Sequence, residues 1–348
     1  MFRSIVLTRN VCNALALAIC GYDFHINFDR FPRLLAAGLY ICRMVKNPSN
    51  FHRDERITLD QIKRLTVAAM FSDDELMDEL VLKGGNAMAL IHKLTSRESV
   101  DLDFSMRHDF PHGTEAVKVR IERALQHTFR PAGFEPFDFK MEEKPAEVSE
   151  ELALFWGGYG VEFKLVANAQ FSLLKDDLVK LRNAALNIGQ GRKFFIDISR
   201  FEYVEDKETT ELDGYRIYVY SPLMIACEKL RALCQQMDEY GPVIRRDRRP
   251  GAPRARDFVD IHVLVEGLKL DMVSAKATDI TRQMFTLKHV ELEWLANIER
   301  YREFHRQGFQ SVIDTVSRDF DLQPFDFYAD YVVQLANAVL TACRQKNA

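Results

Sequence analysis

From residue 58 the apolar positions recur at helical spacing. Leu59, Ile62, Leu65 and Ala68 fall on one face, and Leu76 and Leu80 continue it after a break near Ser72. A short apolar run at 80–82 predicts a buried strand, broken by Gly84 and Gly85. Asn86 stands where a helix over 87–94 would be capped. "SVDLDFSM" predicts the next strand, and 114–129 a further helix. Alternation over "YGVEFKLVA" (159–167), "KFFIDISRFEYV" (193–204) and 214–220 predicts strands. Phe201, Tyr203, Tyr215, Tyr218 and Tyr220 then belong to the sheet rather than to a base-stacking platform. From Pro222 the texture is helical to the C-terminus. The pattern predicts an α+β fold, a mixed sheet flanked by helices and followed by a mostly helical C-terminal region. The expected divisions are a helical extension at 1–55, a core at 56–221 and a helical domain at 222–348. Within the extension, "FPRLLAAGLYICRMV" has helical spacing and "KNPSNFHRDER" reads as a linker.

Composition narrows the classes. A chain of 348 residues with 47% hydrophobic positions can bury a large core. A net charge of −4 excludes a protein that coats nucleic acid over its whole surface, so attraction to a polyanion must come from a local patch. Cys12, Cys20, Cys42, Cys227, Cys234 and Cys343 form no CxxC and no zinc spacing; Cys227 and Cys234, a heptad apart on a helix, read as core thiols, and a cytoplasmic setting is expected. No apolar run is long enough for a membrane span. The opening "MFRSIVLTRNVCNALALAIC" has only a brief apolar stretch, and the chain is not expected to be exported.

The candidate chemistry lies in "ESVDLDFS". On a strand Val100, Leu102 and Phe104 point to the core, while Ser99, Asp101 and Asp103 share the other face. Two like charges on one face need solvent, a basic side chain or a divalent metal to offset them. Mg²⁺ takes oxygen ligands, commonly one or two carboxylates together with substrate phosphates. Upstream, the Gly84-Gly85 turn ahead of a helix lets a phosphate approach the backbone.

Together, "LVLKGGNAMALIHKLTSRESVDLDFSM" resembles the nucleotidyltransferase superfamily, and most closely the AbiEii/AbiGii toxin family of type IV toxin–antitoxin and abortive-infection systems. The matching motifs are Lys83-Gly84-Gly85 and Arg97-x-Ser99-x-Asp101-x-Asp103, with Asn86 where the family has Thr or Ser. Downstream, "FFIDIS" resembles the strand carrying a third acid, here Asp197. "YSPLMIACEKLRAL" resembles the Lys-Leu-x-Ala-Leu helix and gives Lys229. "RARDFVDIHVLVE" gives Arg254, Arg256, Asp257 and Asp260. The resemblance spans about residues 60–270.

The resemblance implies a nucleotidyltransferase-like fold and a Mg²⁺-dependent enzyme, with Mn²⁺ as a substitute, using an NTP as substrate. Asp101, Asp103 and Asp197 would hold metal. Lys83, Gly84, Gly85, Asn86, Arg97, Ser99 and Lys229 would hold the nucleotide, and Lys229 and Asp257 would join the catalytic set. It also implies an RNA acceptor such as a tRNA 3′ end, and a cognate antitoxin. Glu162 competes with Asp197 as the third acid; the family motif favours Asp197. Lys229, at the rim of an apolar helix face, either snorkels or reaches an NTP phosphate. Asp257 needs a cationic partner, with Lys229, Arg231 and Arg256 in reach, whereas Asp260 lies nearer the polar side. Arg245, Arg246, Arg248, Arg249, Arg254 and Arg256 form either a solvated loop or a landing site for RNA phosphates. A small-molecule acceptor, or NTP binding without catalysis, remain the alternatives.

Overall fold

The computed structural model describes residues 57–94, 101–188, 191–245, 251–317 and 319–345. The expectations for 1–55, Arg97, Ser99, Arg246, Arg248 and Arg249 lie outside these residues.

Helix α1 (Leu59–Phe71) starts at a capping box in which Thr58 and Gln61 satisfy each other's backbone N–H groups. It stops at Ser72, and Asp73 caps the short α2 (Asp74–Glu79). The strands are β1 (Val81–Lys83), β2 (Leu102–Ser105), β3 (Phe134–Lys144), β4 (Gly158–Ala167), β5 (Phe194–Ser199), β6 (Glu208–Leu212) and β7 (Tyr215–Val219). They form one seven-stranded sheet in the order β3-β4-β5-β2-β1-β7-β6. β2–β5 and β1–β7 are parallel and the other pairs antiparallel, so the sheet is mixed. Helix α3 (Thr114–Phe129) packs on α1 and β3. Two short helices, α4 (Asn168–Leu174) and α5 (Leu178–Ala184), cover a small satellite core around Phe137 and Val166.

Ser221 caps and Pro222 opens α6 (Pro222–Cys234), followed by α7 (Ala255–Leu268), α8 (Ala275–Leu287) and α9 (Phe325–Gln345). A single apolar cluster runs from Phe104 and Ile196 in the sheet to Phe258, Leu264 and Val332 in these helices. Cys227, Cys234 and Cys343 are buried thiols within it. Among the described residues, no helix is long and apolar enough to cross a membrane.

Several local expectations change. Asp101 lies in a bend just before β2, not within the strand. The helix after the glycine pair begins at Gly84 itself and widens to π geometry over Ala87–Ile91. Asn86 therefore sits inside the turn and makes no helix cap. β5 ends at Ser199 rather than near 204, and β3 and β6 are strands that the apolar pattern did not announce.

Candidate active site

One row of backbone partners crosses four strands: Lys83 on β1, Asp103 on β2, Asp197 on β5 and Gly160 on β4. Opposed residues in a ladder point to the same face, so both carboxylates and the lysine are presented together. Lys83 Nζ donates to Ser199 Oγ at 3.0 Å and lies 3.8 Å from Glu202 Oε1, beneath the acids. Asn86, fully buried, donates its side-chain amide to the Asp101 carbonyl at 2.5 Å, which ties the glycine turn to the acidic bend.

Gly84 has φ +71°, and a Cβ there would stand 2.7 Å from Asp103 Oδ2. Both the left-handed backbone and the close approach require glycine. Gly84→Ala should cost about 1–2 kcal/mol from backbone conformation alone, and should displace the Asp103 carboxylate. Thermal melts should register the first effect and nucleotide-binding calorimetry the second; an alanine variant equal to wild type in both would show that the turn does not position Asp103.

Burial pushes the half-buried Asp103 carboxyl up to about 6; Lys83 opposes the shift, while Asp197, Glu228 and Asp101 add to it. Asp101 is also raised, by burial and by Asp197, against the pull of Lys144 and Arg256. Among the described residues, no group of three or more acids, histidines or cysteines is gathered closely enough to enclose an ion by itself. The donor set of Asp101, Asp103 and Asp197 is nonetheless all oxygen, and the neighbouring acids raise the Asp103 carboxyl. That suits a hard cation completing its coordination with phosphate oxygens and water.

The acids lie in a cleft of about 980 Å³ roofed by α6 and the start of α7. Lys83, Gly84, Gly85, Asp101, Asp103, Asp197, Lys229, Arg254, Arg256 and Asp257 all line it. Glu162 does not: it pairs across the ladder with Phe195 and is tied to Lys193 at 2.8 Å.

Lys229 is not at a helix rim. It is 4% exposed, and its Nζ donates to Asp257 Oδ1 and Asp260 Oδ2, each at 2.8 Å. Asp260 is buried as well, contrary to its expected polar-side position. Arg254 Nε completes the cluster on the second oxygen of Asp257. Burial works against the Asp257 charge, but Arg254 and Lys229 hold its carboxyl well below the usual range. Burial likewise works against Lys229, and Asp257 and Asp260 outweigh it and raise its pKa. The cluster thus fixes α6 to α7 beside the cleft. His305 accepts the Arg254 backbone N–H at 3.1 Å through Nδ1.

Arg231 pairs with Glu202 at 2.8 Å, not with Asp257. Glu202 is buried among Arg231, Lys288 and Lys83, which overcome its burial and hold its pKa down. Arg245 forms an exposed ion pair with Glu151. Glu202, Glu228, Lys144 and Lys288 line the cleft without having been signalled by any motif. Their neighbours are distant in sequence, and only Glu228 adjoins a motif residue.

The Lys83-Gly84-Gly85 turn packs on Asp103, Asp197 stands on the neighbouring parallel strand, and the chain is a nucleotidyltransferase by its family. Residues 66–331, more than half of the chain, match the family "Nucleotidyl transferase AbiEii toxin, Type IV TA system", and the chain belongs to that family. No curated relative matches. Among solved structures, JHP933 from Helicobacter pylori is 16% identical, covering 83% of this chain and 93% of its own, with a TM-score of 0.43. An antigenic nucleotidyltransferase-like protein from Paracoccidioides brasiliensis is 15% identical over 68% of this chain and 93% of its own, with a TM-score of 0.29.

Proposed function

We propose that this chain transfers a nucleotidyl group from an NTP to an RNA acceptor such as a tRNA 3′ end, with Mg²⁺ or Mn²⁺, and that a cognate antitoxin restrains it. The observation that carries the reading is the ladder row that sets Asp103 beside Asp197 with Gly84 packed on Asp103. Asp101, Asp103 and Asp197 would hold the metal; when bound, it would neutralise charge on the transferring phosphate and lower the barrier to attack by a hydroxyl. Gly84, Gly85 and Asn86 would present backbone groups to the triphosphate, and Lys83 would supply positive charge beside it. Arg97 and Ser99 belong to the same nucleotide-binding set by their place in the motif. Lys229 and Asp257 act here as a buried pair that sets the roof of the cleft, which makes them positioning residues.

Arg254 and Arg256 at the cleft favour a polyanionic acceptor over a cationic small molecule. Labelled transfer from each of the four NTPs onto total RNA, with and without Mg²⁺, tests the reading. Labelling of a small hydroxyl compound but never of RNA would replace the acceptor. NTP binding without transfer to any acceptor would remove the enzyme reading. Charge reversal at Arg246, Arg248 and Arg249 should weaken RNA binding while sparing NTP binding, and should flatten the salt dependence of RNA affinity by close to one counterion per lost phosphate contact. Filter binding across a salt series reads both; an unchanged slope would place the RNA elsewhere.

A further inference from the structure

The Asp197 carboxylate already has a cation. Lys144, the last residue of β3, pairs across the ladder with Gly158, yet its side chain turns back over Gly160 so that Nζ lies 2.6 Å from Asp197 Oδ1. Gly160 makes that path available. A Cβ at this position would stand 2.2 Å from Lys144 Cε and 2.6 Å from Nζ, and the three nearest atoms all belong to Lys144. The backbone of Gly160 needs no left-handed conformation. The absence of a side chain here therefore serves the lysine and not a turn.

The two lysines of the site differ in how firmly they are held. Lys83 is buried between Ser199 and Glu202. The Lys144 side chain is 58% exposed and that of Asp197 is 42% exposed. An exposed pair of this kind biases an equilibrium by about fivefold at most, so a divalent ion can displace it. Lys144 also lies close enough to Asp101 to act on its charge. One flexible cation thus spans the two acids on the open side of the site.

We propose that Lys144 competes with the divalent ion for Asp197, so that an ion reaches this carboxylate only when Lys144 swings away. The proposal rests on the metal reading given above. It makes Lys144 a resident counter-charge that keeps the acids paired in the metal-free protein, and Gly160 the residue that permits it.

Mn²⁺ titration of the full chain, followed by electron paramagnetic resonance of the free ion, tests this without any turnover. Lys144→Met removes the cation and keeps the length of the chain. Gly160→Ala keeps the cation but puts a methyl group in its path. Both variants should bind Mn²⁺ more tightly, with Kd lower by about fivefold for Lys144→Met, the upper limit for an exposed pair. Melting curves confirm that each is folded. Wild-type affinity in both variants, or weaker binding by Lys144→Met, would overturn the competition while leaving the metal reading in place. No Mn²⁺ binding by wild type or by either variant would overturn the metal reading and this proposal with it.

Discussion

Asp103→Asn is expected to cut nucleotidyl transfer by roughly a hundredfold or more, on the scale of losing a major electrostatic stabiliser, and to make the metal-free protein more stable near pH 8. The two effects share one cause. Burial and three neighbouring carboxylates raise Asp103 to about 6, with Lys83 only partly compensating. Its ionised form is therefore disfavoured in the folded chain relative to the unfolded one. For an acid with a raised folded pKa, the penalty is absent below the unfolded value and complete above the folded one. Asparagine should thus stabilise the protein by about 1–2 kcal/mol above pH 7, after discounting a shift of this size for partial exposure. That gain should fade as pH falls from about 6 toward 4. Mn²⁺ affinity of the wild type should weaken over the same range as Asp103 takes up a proton. Melts at pH 8 and pH 4, paired with labelled-NTP transfer, measure both halves. A folded Asp103→Asn protein with wild-type transfer would end the metal mechanism.

Lys229→Met should instead destabilise the protein, by about 3–5 kcal/mol, because it leaves buried carboxylates without their shared cation. Asp257 would keep Arg254, but Asp260 would lose its Lys229 contact. The sign follows from both partners. Asp257 is depressed, so its contribution is present above the usual carboxylate range and is lost on acidification. Lys229 is raised, so its contribution is present below the usual lysine range and is lost on strong alkalinisation. The penalty should accordingly be greatest at neutral pH. Denaturant unfolding at pH 7 gives the magnitude. A fully stable Lys229→Met protein with reduced NTP affinity would return Lys229 to direct phosphate contact.

The strands that escaped the apolar pattern are the two edges of the sheet. β3 carries Pro136 and ends in charged residues, and β6 reads Glu-Thr-Thr-Glu-Leu with most of its length exposed. Edge strands have one unpaired side and are blunted by charge and proline. β6 has a single apolar residue, Leu212, whereas Phe137, Phe139 and Met141 of β3 do alternate with Asp138 and Lys140, and there a bulge at Asp138, with φ +53°, shifts the register. β4, β5 and β7, with more regular apolar alternation, were legible.

Local features could be read from the chain alone: the helical spacing from residue 58 and from Pro222, the glycine turn, the spacing of the two acids and the motif order that signals the family. These depend on neighbours within a few residues, which periodicity and motif spacing report directly. The family motif favoured Asp197 over Glu162, but periodicity could not choose between them, because which carboxylate stands beside Asp103 is a matter of register between strands far apart in sequence. The same holds for the burial of Lys229 against Asp257 and Asp260, and for the path of Lys144 across Gly160 to Asp197. Periodicity finds the apolar face of an element, but a charged residue beside that face, such as Lys229 or Asp260, is buried or exposed according to the partners that long-range packing brings to it.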